Sequence, residues 1–212
     1  MFKRLSSLLV GDTLSALGIA MVVNSGLGCF AVTAANLSIA SIFGISIGLA
    51  GMIVESITLL LATWQKEGIG ITAIVNAIFG SLMVDFFISV IPCHPLMVLG
   101  VLILPIAWAM MGKAELGDTG TNILMNAIIK KTGKSIKLIR TIEECVFLAI
   151  GLIGAREYVT WFTLLLSVGL GYLIQAVYKL IKYDPTKMKH SFVIKRHHRG
   201  RLVNGFNKEC KE

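Results

Sequence analysis

Four carboxylates stand inside stretches of this chain that otherwise carry almost no charge: Asp12, Glu55, Asp85 and Glu144. An ionised side chain in apolar surroundings has to face a cavity, find a partner or bind a proton, which is the chemistry of proton carriage and cation ligation. Glu55 is the sharpest case, because no basic residue falls within a helical turn of it. Glu144 differs. Arg140 lies one turn before it and Glu143 adjoins it, so an Arg140–Glu144 ion pair would give that acid a structural role. Asp12 joins Glu55 and Glu144 on a candidate substrate or ion pathway. Asp85 stands toward the outer end of its segment, where contact with water accounts for it.

A second kind of chemistry is suggested by two Leu-Gly pairs, Leu27-Gly28 and Leu116-Gly117, each introducing a short segment, 28–43 or 118–132. Gly28 and Gly117 give the backbone freedom to turn into a helix whose leading N–H groups carry partial positive charge, an arrangement that suits an anion. Asp118 follows the second pair, either as a cap for that helix or as part of a site. Asn122 and Asn126 are four residues apart and so share a helix face, suited to contact with a polar solute or with neighbouring helix backbones.

These residues need elements to hold them. With 55% hydrophobic residues, 15% charged residues and a mean hydropathy of +0.79, the chain has more apolar surface than one soluble core can hide. The low-charge stretches 5–23, 45–63, 69–91, 96–111, 136–153 and 159–181 approach the roughly 20 residues of a spanning helix and lack the alternation of barrel strands. Asp12 interrupts the first of them and no small-x-small cleavage pattern follows, so a retained signal anchor is expected. With the N-terminus cytoplasmic, six crossings place 19 of the 20 Lys and Arg on that side and leave only Arg156 outside.

An offset of 89 residues lays the first half of the chain on the second, bringing Gly44 onto Gly133, Ser46-Ile47 onto Ser135-Ile136, Glu55 onto Glu144 and Gly80 onto Gly169. Three crossings per copy is an odd number, so the copies enter the membrane from opposite faces. The expected fold is an all-α membrane protein of six transmembrane helices, arranged as two inverted three-helix repeats, 1–91 and 92–183, with a basic cytoplasmic tail, 184–212. Each repeat carries a short re-entrant or interfacial helix after its first crossing. The segment 28–43 reaches only about 24 Å as a helix, short of a hydrocarbon core. Inverted repeats commonly hold a site near the midplane that opens alternately to either side, although duplication is also a simple route to a stable bundle. Pro105 is expected to kink its helix, unlike its counterpart Ala16.

The remaining signals exclude more than they suggest. Four scattered cysteines read as free thiols, although Cys29 and Cys93, both expected to face outward, could pair. His94, His190, His197 and His198 lack metal-ligand spacing. No phosphate loop, GxSxG elbow or HExxH occurs, so no enzyme, metal or cofactor is expected. The basic tail suits anionic lipid headgroups, and the net charge of +8 calls for no nucleic acid.

Three stretches, SGLG at 25–28, KEGIGITAIVNAIFGSLMVD at 66–85 and ELGDTGTNILMNAIIKKTGKSIKLIRTIEE at 115–144, resemble the YczE/YyaS/YitT group of bacterial integral membrane proteins. The resemblance covers roughly residues 5–182 and implies a multi-pass protein of the bacterial plasma membrane with both termini cytoplasmic. It departs where Cys29-Phe30-Ala31 replaces the group's Pro-Trp-Asp after the first Leu-Gly turn, leaving Asp118 in the second copy as the nearest analogue of that acid. The group's biochemical role is largely unassigned. The expected function is secondary transport of a small solute, with proton coupling through Glu55. Two alternatives are a non-transporting scaffold or assembly factor for a cytoplasmic partner, and the substrate-binding membrane subunit of an energy-coupled vitamin transporter.

Overall fold

The computed structural model describes residues 2–134, 136–180 and 193–194, most of them helical. In the first half the helices are α1 (Phe2–Asn24), α2 (Ala31–Phe43), α3 (Ile47–Trp64) and α4 (Ile71–Val90). In the second they are α5 (Ile103–Lys113), α6 (Gly120–Thr132), α7 (Ile136–Gly154) and α8 (Trp161–Leu180). A π turn, Asn76–Gly80, interrupts α4, and a 3₁₀ stretch, Pro95–Leu102, leads into α5. Strand β1 (Ile69–Gly70) pairs antiparallel with β2 (Val193–Ile194). Apart from β2, the tail 184–212, with its expected headgroup contacts and its three histidines, lies outside the described residues.

Helices α1, α3 and α4 are long and apolar enough to cross a membrane. Their outward faces agree with that. Ile74, Ile78, Leu82, Phe86 and Val90 form an exposed stripe at four-residue spacing along α4, a surface that water would not tolerate at this extent and that lipid covers readily. The chain is compatible with a membrane protein. Its interior is built largely of small residues, among them Ala16, Ala20, Ala34, Ala35, Ala50 and Ala107, which let helices approach closely.

The element boundaries repeat at the offset found in the sequence. Ala31–Phe43 shifted by 89 falls on Gly120–Thr132, and the first residue of α3 falls on the first residue of α7. Gly44 and Gly133 end α2 and α6 in the left-handed conformation, φ 64° and 65°, and their N–H groups reach Ala40 O and Ile129 O. Even unlike residues follow the pattern: Gly26 and Glu115 both have positive φ, 69° and 53°.

Packing repeats too. Helices α1 and α5 run antiparallel, with Ser7 Oγ donating to Met110 O, Trp108 Nε1 to Ser15 Oγ, and Gly18 against Gly100. The crossing maps onto itself, since Gly11 meets Ala107 as Gly100 meets Gly18. The short helix α2 lies along α7, and α6 lies along α3. Pro105 marks the departure: it cannot donate to the carbonyl four residues back and its ring crowds that carbonyl, so the chain before it is 3₁₀ where α1 is continuous α-helix.

The two ends of the bundle hold different residues. At one end Arg4 pairs with Glu115 at 3.1 Å, Lys130 with Glu67 at 2.8 Å, and Lys131 Nζ donates to Gln65 Oε1 at 3.4 Å. At the other, Asn24 Nδ2 donates to Ile88 O and Ile91 O, and Thr160 Oγ1 donates to Leu27 O.

Candidate functional site

Glu55 sits midway along α3 and is buried, at 8% exposure. Its carboxylate is not free: Oε1 accepts the backbone N–H of Gly120 at 2.5 Å, the first residue of α6. The α6 N-cap, Thr119, provides no side-chain cap, so an acid from the first half of the chain fills the role that a capping residue would take. Gly120 makes this possible, because a Cβ there would lie 3.1 Å from the Glu55 carboxyl carbon and closer still to Thr58 and Leu59. The sequence-based picture of Glu55 as an acid without a partner is therefore corrected. Its partner is a backbone N–H group 65 residues away, which no reading of local charge reveals.

The same contact corrects the expectation of an anion site at the helix starts. At α6 the place belongs to Glu55. At α2, Gly28 (φ 133°) is buried against Thr160 and Thr163, with Cys29 and Ala31 buried behind it. Gly28 and Gly117 (φ 117°) thus serve as turns pressed against the opposite half of the chain, Gly117 against Gly70.

Asp12, on α1, is 1% exposed. Its Oδ1 accepts from Asn76 Nδ2 at 3.0 Å, in the π turn of α4, and its Oδ2 meets no donor among the described residues. Asp12, on α1, and Asp118, just before α6, both lie within electrostatic reach of Glu55 on α3.

From Asp118 the polar chain continues. Asp118 Oδ1 accepts from Thr119 N at 2.9 Å and from Asn122 Nδ2 at 2.7 Å. Asn122 Oδ1 accepts from Arg140 Nη1 at 3.4 Å. Arg140 pairs with Glu143 at 3.2 Å and with Glu144 at 3.4 Å, and Glu144 Oε2 accepts from Ser167 Oγ at 3.3 Å. The expected Arg140–Glu144 pair is present. Asn126 is exposed and makes no part of this chain of bonds.

Other placements differ from expectation. Asp85 does not merely reach for water: Oδ2 accepts from Ser46 Oγ at 2.5 Å and Oδ1 from Gly48 N at 2.6 Å, so it holds the start of α3. The two cysteines that could have paired, Cys29 (buried) and Cys93 (exposed), are free thiols, as is Cys145. Asn76 was missed, although an amide inside the apolar run ITAIVNAIFG is itself a signal.

No curated protein and no solved structure matches the chain. A match over residues 2–179 shows that it belongs to the family of unknown function DUF6198.

Proposed function

We propose that this protein is a secondary permease for a small solute, crossing the bacterial plasma membrane six times as two inverted three-pass repeats, with Glu55 as its proton-binding group. The architecture is supported by helix boundaries recurring at 89 residues, the antiparallel α1–α5 crossing, and the reciprocal packing of α2 on α7 and α6 on α3. Helix α2 starts beside Phe147 and ends beside Gly154, while α6 starts beside Glu55 and ends beside Glu67. Both run from mid-bundle to opposite ends, as paired re-entrant helices would. Arg4, Glu67 and Lys130 at one end accord with cytoplasmic termini, and the reading agrees with the resemblance to the YczE/YyaS/YitT group.

One observation carries the mechanism: the Glu55–Gly120 bond joins the two repeats. An ionised carboxylate accepts a backbone N–H more strongly than a neutral one does and is favoured by the positive end of α6. Proton uptake at Glu55 weakens the joint and lets α6 shift against α3, while proton release restores it. A proton gradient is thereby coupled to the exposure of the region between the repeats.

Reconstitution into pyranine-loaded liposomes tests this. Addition of the transported member of a panel of amino acids, organic acids and vitamins is expected to change internal pH with the wild type and not with Glu55→Gln, whose amide oxygen still accepts from Gly120. Equal responses from both proteins would remove Glu55 from the mechanism, and no response to any solute would count against transport.

A further inference from the structure

We propose that Asp12 is the centre of a binding site for a small inorganic monovalent cation. Its carboxylate is buried to 1% exposure, and Oδ2 has no donor among the described residues. A buried, unpartnered carboxylate oxygen is costly, and a cation relieves that cost. The side-chain bond that Asp12 accepts from Asn76 to Oδ1 orients the group and leaves Oδ2 for a ligand.

The helix packed against Asp12 carries a second buried polar group without a partner among the described residues. Thr72 stands one turn before Asn76 on α4, is 2% exposed, and its Oγ1 is also buried without a partner among the described residues. The π turn Asn76–Gly80 interrupts the regular backbone ladder of α4, a local arrangement frequent at functional sites. Gly80 closes that turn, and a Cβ there would stand 3.9 Å from Asp12 Oδ1. Glu55 adds negative potential but is committed to Gly120, and Arg140 is held by Glu143 and Glu144. No group of three His, Cys, Asp or Glu converges among the described residues, so the charge suits a monovalent ion and not a divalent one.

The second repeat argues against a purely structural role. At the 89-residue offset, Asp12, Thr72 and Asn76 become Val101, Trp161 and Leu165. The corresponding interface carries an apolar groove of about 220 Å³, lined in part by Val101 and Leu165. The same helix pairing is therefore built from apolar residues in one copy, so packing does not require the acid, the hydroxyl and the amide found in the other.

The inference is independent of flux and is tested by binding. Purified protein in nanodiscs is compared in LiCl, NaCl, KCl and NH4Cl against choline chloride at constant ionic strength. At least one inorganic cation is expected to raise the Tm saturably, with choline inactive and Asp12→Asn losing most of the shift. A second readout uses the wild type alone. Carbodiimide labelling of Asp12, followed by mass spectrometry, is expected to slow at least threefold in the active cation and not in choline. The site is overturned if no inorganic cation differs from choline, if Asp12→Asn keeps the full shift, or if labelling of Asp12 is the same in every salt.

Discussion

The Gly120 N–H and the Glu55 carboxylate meet at 2.5 Å, so an acid in the first half of the chain closes the leading turn of a helix in the second half. Removing that acceptor leaves a buried N–H group unsatisfied at the start of α6. Loss of a cap costs about 1 kcal/mol, and Glu55→Ala should lower stability by that order. Glu55→Gln keeps an acceptor and should cost less than half as much. Equilibrium unfolding in mixed micelles measures both, and equal losses would mean that charge, not acceptance, holds the joint.

Asp85 does for α3 what Glu55 does for α6, receiving Gly48 N and Ser46 Oγ. Asp85→Ala removes both acceptors and is expected to destabilise by about 1–2 kcal/mol. Ser46 caps Leu49 N independently at 3.2 Å, so Ser46→Ala should be the milder change. The reverse order, read by the same unfolding assay, would show that Asp85 is only a passenger at this helix start.

Periodicity and the recurrence of helix boundaries at 89 residues were legible in the sequence because they act locally or by identity. The low-charge stretches at 45–63 and 69–91 became α3 and α4 within a few residues, and the two Leu-Gly pairs became turns. The Arg140–Glu144 pair was legible because helical spacing alone brings the two side chains together. The partners of Glu55 and Asp85 were hidden for the opposite reason. Both acids bond to backbone N–H groups on other elements, and a backbone donor has no residue-type signature. Asp12 lay between these cases: its place inside an apolar segment was legible, while its link to Asn76 depends on α4 lying alongside α1.

Thiol chemistry separates two cysteines that the sequence placed on the same side. Cys29 is 0% exposed and its Sγ lies 3.9 Å from Tyr158 O, whereas Cys93 is exposed in the turn after α4. A membrane-impermeant maleimide should modify Cys93 in intact protein and leave Cys29 untouched until denaturant is added. Rapid labelling of Cys29 in Cys93→Ser would show that the turn at Gly28 opens in the native state.

Arg140 offers a test of which interaction dominates in the second half of the chain. Its side chain is 40% exposed, while Glu143 and Glu144 are 18% and 20% exposed. Exposure to water would reduce the pair to a few tenths of a kcal/mol, whereas a site fully sealed in lipid would make loss of one partner cost several. Arg140 lies in the second turn of α7, and α6, which precedes that helix, ends beside Glu67. Its position near that end of the bundle favours the lower range. Arg140→Gln is expected to cost about 1 kcal/mol, with an Arg140–Glu144 coupling of about 0.5–1 kcal/mol in a double-mutant cycle with Glu144→Gln. The bond to Asn122 carries part of the single-mutant loss and none of the coupling, so the cycle isolates the ion pair from the rest of the polar chain. A coupling indistinguishable from zero would release Glu144 from its structural role and return it to the candidate ion pathway beside Glu55.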